Sequence, residues 1–103
     1  MDIKALTERM DQFVQDKGWY DEDSPRPQTP RNLAISLHLE TSEILELYQW
    51  GAQRVDKESL AEELADVALY LLQISRVSEI DLEEAILRKL QANYQRSWPE
   101  EGA

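Results

Sequence analysis

The chain has 103 residues and no cysteine, and its 21 acidic against 11 basic residues leave a formal net charge of −10. This excludes disulfides, thiol nucleophiles and cysteine zinc sites, and a surface of that sign repels nucleic acid and anionic membranes. A phosphate-bearing ligand would need a divalent cation to mediate its approach.

Residues 1–103 make one domain of ordinary size, with a modest core that oligomerisation would extend. No run of 18 apolar residues occurs, and Met1-Asp2-Ile3-Lys4 opens no signal-peptide h-region, so a cytoplasmic protein is expected.

Helical periodicity predicts a first helix over about Ile3–Lys17, with Ile3, Leu6, Met10, Phe13 and Val14 on one face and Gly18 as its stop. Trp19 to Thr29 holds three acids, Ser24, Pro25 and Pro27 and reads as an irregular loop. Thr29-Pro30 is an N-cap and first-turn pair for a second helix running to about Trp50, before Gly51. A third begins near Lys57–Ser59, where Ser59 and Glu62 suit a capping box, and runs to about Ser78. The fourth begins at Asp81, with Glu84 three residues on, and ends near Ser97 before Pro99. The fold class is all-α, a four-helix bundle in which the short connection makes helices three and four antiparallel neighbours.

Winding helices two and three at 100° per residue exposes an anomaly. With Leu33 at zero, Leu37, Ile44 and Leu47 form an apolar arc; Glu40 falls inside it near about 340°, and Glu43 between Trp50 and Leu47. With Leu60 at zero, Glu63 lands at about 300°, between Ile74 and Tyr70, and Asp66 between Val77 and Gln73. Each pair is spaced i, i+3, so its carboxylates leave one side of the helix. Acidic pairs of this kind are commonly solvated, and the lone His38 falls on the other side, where a surface histidine is expected. Two such pairs within apolar arcs on consecutive helices are harder to explain as surface. A buried carboxylate without a partner costs several kcal/mol, and the basic residues are not interleaved with these four. A hard divalent cation answers the need, and Mg²⁺ suits all-oxygen ligation while leaving places for water and phosphate oxygens. Periodicity alone reaches a metal-binding helical bundle.

Pro30-Arg31-Asn32-Leu33, Glu40-Thr41-Ser42-Glu43 and Glu46-Leu47-Tyr48-Gln49-Trp50 together resemble the first metal helix of MazG-like proteins, in the all-α nucleoside triphosphate pyrophosphohydrolase superfamily. Glu62-Glu63-Leu64-Ala65-Asp66 through Tyr70 resembles their second, ExxD helix, and Lys89 through Arg96 is similar to their Lys-xxx-Asn-xx-Arg close. The chain looks closest to the branch containing the vertebrate dCTP pyrophosphatase.

The resemblance implies hydrolysis of a nucleoside or deoxynucleoside triphosphate to the monophosphate and pyrophosphate. The implied metal is Mg²⁺, with Mn²⁺ as a possible substitute, on Glu40, Glu43, Glu63 and Asp66. It further implies Glu43 as the residue activating the nucleophile, Trp19, Trp50 and Tyr70 around the base, and Lys89, Asn93 and Arg96 toward the phosphates. A homo-oligomer, dimer or tetramer, is implied as well. Two departures from that branch, the longer acidic loop between Trp19 and Pro30 and Met10 in place of a histidine, both fall on the base side. The competing readings are an acidic helical interaction module without catalysis and a phosphoribosyl-ATP pyrophosphohydrolase of the same fold.

Overall fold

The computed structural model describes residues 1–51 and 55–97. Four helices occur, α1 (Ile3–Asp16), α2 (Pro30–Glu46), α3 (Lys57–Val77) and α4 (Leu82–Gln95), and no strand among the described residues. None of these helices is long and apolar enough to cross a membrane. Pro99 lies outside the described residues.

Local chemistry sets most boundaries. The Asp2 side chain accepts from Ala5 N at 2.8 Å, and the Thr29 hydroxyl accepts from Asn32 N at 3.2 Å. Such caps satisfy donors that a helix start leaves orphaned, each worth about 1 kcal/mol. Gly18, at φ 73°, ends α1: Gly18 N donates to Gln15 O at 2.9 Å and Trp19 N to Val14 O at 3.2 Å. This paired closure needs a left-handed residue, for which glycine carries no steric cost.

Three expectations are corrected. Helix α2 ends at Glu46 rather than near Trp50: Leu47, Tyr48 and Gln49 each donate three residues back, at 3.0–3.2 Å, so the chain tightens into turns before Gly51. Helix α3 is capped by Asp56, whose side chain accepts from Ser59 N at 3.1 Å, rather than by Ser59 itself. Finally, α4 does not lie along α3. Its packing contacts are with α1, while α3 packs against both α2 and α1. Glu79, at φ 57°, turns the chain at the α3–α4 corner, with Ile80 N donating to Ser75 O at 2.8 Å.

The core is correspondingly small. Met10, Val14 and Leu72 are buried together between α1 and α3, flanked by Ile3, Trp19, Tyr20 and Leu82, each full burial worth about 1.5–3 kcal/mol. Leu33 of α2 is also buried, but α4 contributes no buried residue. The radius of gyration is 16.9 Å, against roughly 13 Å for a compact domain of this length. By contrast, Leu39, Leu45 and Leu69 are exposed, as are Ile86, Leu87 and Leu90 of α4.

Candidate metal centre

The packing of α2 on α3 brings Glu40, Glu43 and Glu63 together: one carboxylate oxygen from each lies within 4.8 Å of the other two. Glu40 and Glu63 are half-buried, as their places in the apolar arcs required, and Glu43 is exposed. One oxygen in each half-buried pair member, Glu40 Oε2 and Glu63 Oε2, is sealed from solvent and has no hydrogen-bond partner. A sealed, unpartnered carboxylate oxygen is costly without a positive ligand.

The electrostatics carry the same signature. Desolvation, then hydrogen bonding and repulsion from Glu43 and Asp66, push the Glu40 carboxyl above its usual range. Hydrogen bonding to Glu43, then desolvation and the charges of Glu43, Asp66 and Glu40, push Glu63 up to about 7. Asp66 is exposed and stands outside the three-oxygen group, yet its charge reaches both half-buried acids. Carboxylates so crowded hold a proton in place of a cation. The donor set is all oxygen, with two atoms unpartnered, and therefore fits a hard divalent metal. Glu40, Glu43 and Glu63 are the residues able to hold it, with Asp66 beside them.

Asp66 also borders a cavity of about 770 Å³ that runs between α1, α2, α3 and the loop after Gly18. Trp19 and Tyr70 line it, with Met10, Leu33 and Leu69 adding apolar wall and Gln28, Asn32 and Gln73 polar wall. Trp19 is held edge-on against Phe13, ring centroids 5.6 Å apart and planes at 90°, following directly from the Gly18 closure. The long loop contributes Pro25, Arg26, Pro27 and Gln28 to the same wall, so both departures noted in the sequence, this loop and Met10, do border the cavity.

Other expected residues are not gathered there. Trp50 stands 92% exposed beyond the end of α2. Lys89, Asn93 and Arg96 belong to α4 and its C-cap, and border neither this cavity nor a second one of about 670 Å³ between the start of α1 and the α3–α4 corner. His38 is exposed. Sequence reading missed Gln28, Asn32 and Gln73, since neutral polar residues near a cap or on a helix flank carry no periodic signal.

Residues 28–97 match the MazG nucleotide pyrophosphohydrolase domain. The chain belongs to this MazG family. Rat and human dCTP pyrophosphatase 1 are each 36% identical to it across 76 aligned positions, covering 65% of this chain. The chain spans about half, 45%, of the length of those curated relatives. A crystal structure of a pyrophosphatase from Archaeoglobus fulgidus is 33% identical, with a TM-score of 0.72 over 94% of this chain and 92% of the other. The MazG domain match covers α2, α3 and α4 and thus all four acids, while the archaeal structure extends the likeness across α1 and the cavity wall.

Proposed function

We propose that this MazG domain hydrolyses a nucleoside or deoxynucleoside triphosphate to the monophosphate and pyrophosphate, with Mg²⁺ or Mn²⁺ held by Glu40, Glu43, Glu63 and Asp66. The observation that carries the reading is the pair of sealed, unpartnered oxygens, Glu40 Oε2 and Glu63 Oε2, beside a largely apolar cavity with an aromatic wall. A non-catalytic acidic module gives no reason for either. A bound divalent cation supplies neutralisation of the triphosphate and acidification of a water.

The chain's own residues then have distinct tasks. Glu43, the exposed member of the triad, accepts a proton from the water attacking the α-phosphorus. The water oxygen bonds to phosphorus, the bond to the bridging oxygen breaks, and pyrophosphate leaves. Trp19 and Tyr70 hold the base, whose flat face suits aromatic contact whatever its identity. Lys89, Asn93 and Arg96 bind phosphates, Arg96 as a planar fork and Lys89 as a point charge.

Because α4 packs on α1 in one chain, we assign these phosphate contacts, and the base contact of Trp50, to a neighbouring copy in a homo-oligomer. The exposed apolar residues of α2, α3 and α4 support that assembly. Incubation with a panel of nucleoside triphosphates and Mg²⁺, with products resolved, is expected to give monophosphate and pyrophosphate. Diphosphate with orthophosphate, or no turnover of any member, refutes the reading.

A further inference from the structure

The cavity wall contains a polar network that the acid chemistry leaves unused. Asp11 is 8% and Gln73 5% exposed. The Tyr20 hydroxyl donates to Asp11 Oδ1 at 2.8 Å, and Gln15 Nε2 donates to Asp11 Oδ2 at 3.2 Å. Arg76 Nε stands 3.5 Å from the same Oδ2. Gln73 Nε2 donates to Gln28 Oε1 at 2.6 Å, and Gln28 Nε2 donates to the Arg26 carbonyl, also at 2.6 Å. Burial and then Asp11 push the Tyr20 hydroxyl up to about 12, while the nearby Gln73 amide pulls the other way.

A glutamine amide has two ends of nearly equal shape, so only its partners decide which end faces a ligand. Here the partners decide it. The Arg26 carbonyl only accepts, which turns Gln28 nitrogen toward it and Gln28 oxygen toward Gln73. That oxygen in turn demands the Gln73 nitrogen. From the other side, the Tyr20 hydroxyl donates to Asp11 Oδ1, and the Gln73 side chain lies close enough to the phenol to counter part of the rise in its pKa. Gln73 thereby commits its nitrogen to Gln28. Its Oε1 accepts no hydrogen bond among the described residues and is not one of the atoms sealed from solvent. The open space that Gln73 borders is the cavity.

We propose that Gln73 is a specificity-determining residue for the base: a locked acceptor that selects an exocyclic amino group over a carbonyl, with Gln28 as its positioning residue. The inference rests on the reading that the cavity houses the base. An amino group opposite Gln73 Oε1 donates to it, whereas a base carbonyl there sets two acceptors face to face and leaves both unpaired.

The test compares kcat/KM within two pairs that exchange amino for carbonyl on one ring, dCTP with dUTP and dATP with dITP, in Mg²⁺. The wild-type protein is expected to favour the amino member by about tenfold or more in each pair that it turns over. Gln73→Met is expected to bring that ratio near one. Gln28→Ala, which releases the Gln73 amide to turn over, is expected to lower it as well, with a merely structural loop effect moving both members alike. Equal wild-type rates, a carbonyl preference, or a ratio preserved in Gln73→Met overturns the proposal. Should Gln73→Met fail to fold by circular dichroism, an unmoved ratio in Gln28→Ala overturns it instead. Turnover with unmoved ratios refutes the base selection alone; absence of turnover of all four nucleotides by the wild-type protein removes the underlying reading with it.

Discussion

Helices α2 and α3 on one side and α4 on the other are both rich in charge, yet they treat it in opposite ways. On α2 and α3 the acids are drawn together until two of their oxygens lose contact with water. On α4 nothing is buried, and Leu87, Leu90 and Tyr94 face solvent beside Lys89 and Arg96. The first pair of helices gathers its carboxylates within one chain, because contacts i, i+3 and a single helix–helix interface suffice. The fourth helix carries an exposed apolar surface, Ile86, Leu87 and Leu90, flanked by Lys89. Crowded negative charge is therefore a feature of the α2–α3 interface, whereas α4 balances its exposed charge locally, as in the Arg88–Glu84 pair.

The sharpest way to break this contrast is at the acids. Glu40→Gln or Glu63→Gln is expected to lower turnover by more than about 100-fold, since even residues behind metal ligands cost roughly 10–100-fold when changed. The same variants should melt at higher temperature than the wild-type protein without metal, because one member of a mutually repelling set is neutralised. A pyrophosphate-release assay with circular dichroism melts checks both, and near-wild-type turnover would remove these residues from the centre.

Complementation addresses α4. Arg96→Ala alone should weaken every nucleotide alike, as a phosphate contact carries no base identity. Co-refolding it with Glu40→Gln should restore part of the activity that each lacks, if α4 serves a neighbour's acids. Light scattering on the wild-type chain should accordingly give a mass above 12.0 kDa. A monomer, or a mixture no more active than its parts, confines each site to one chain.

A smaller effect separates the two indoles. Trp19→Ala should cost about 1–3 kcal/mol of nucleotide binding through lost stacking, read by titration with a non-hydrolysable triphosphate and Mg²⁺. Trp50→Ala should cost less in any variant that is held monomeric.

The smallest is a pH dependence. Glu63 is raised from 4.5 to about 7, and Glu40 is raised too, so between those values the folded state holds protons that the unfolded state releases. Without metal, stability is expected to fall as pH rises from about 4.5 to about 7, and Mg²⁺ should reverse that loss at the upper end. A metal-free melting temperature that rises over this interval contradicts the clustered acids.

The acids were legible because burial periodicity and charge conflict there, and Glu40 and Glu63 stand where the helical wheel set them. Helix starts at Thr29 and Asp81 are local chemistry and were equally open to reading, since each cap closes within three residues. The end of α2 was not, because turns with bonds three residues back preserve enough apolar spacing at Leu47 and Trp50 to imitate another helical turn. Nor was the direction of α4: a connection of a few residues permits more than one exit, and the choice rests on the left-handed Glu79. The Gln28–Gln73 bond joins residues 45 apart in sequence, and neither carries charge or periodicity to announce it.

The Trp19–Thr29 loop is clamped at both ends. On one side Gly18 reverses the chain at φ 73°, and an added Cβ there would meet Asp21 Oδ2 at 3.0 Å; on the other Thr29 and Pro30 start α2 afresh. Lengthening or rewriting residues 21–25 need not move the core of α1 or the acids of α2, because Trp19 and Tyr20 keep their packing on that core and Gln28 its bond to Gln73. The wall that meets the ligand is thus a replaceable panel in a fixed frame. A lineage can retune what enters the cavity by editing a surface segment, at a distance from the chemistry and without renegotiating the fold.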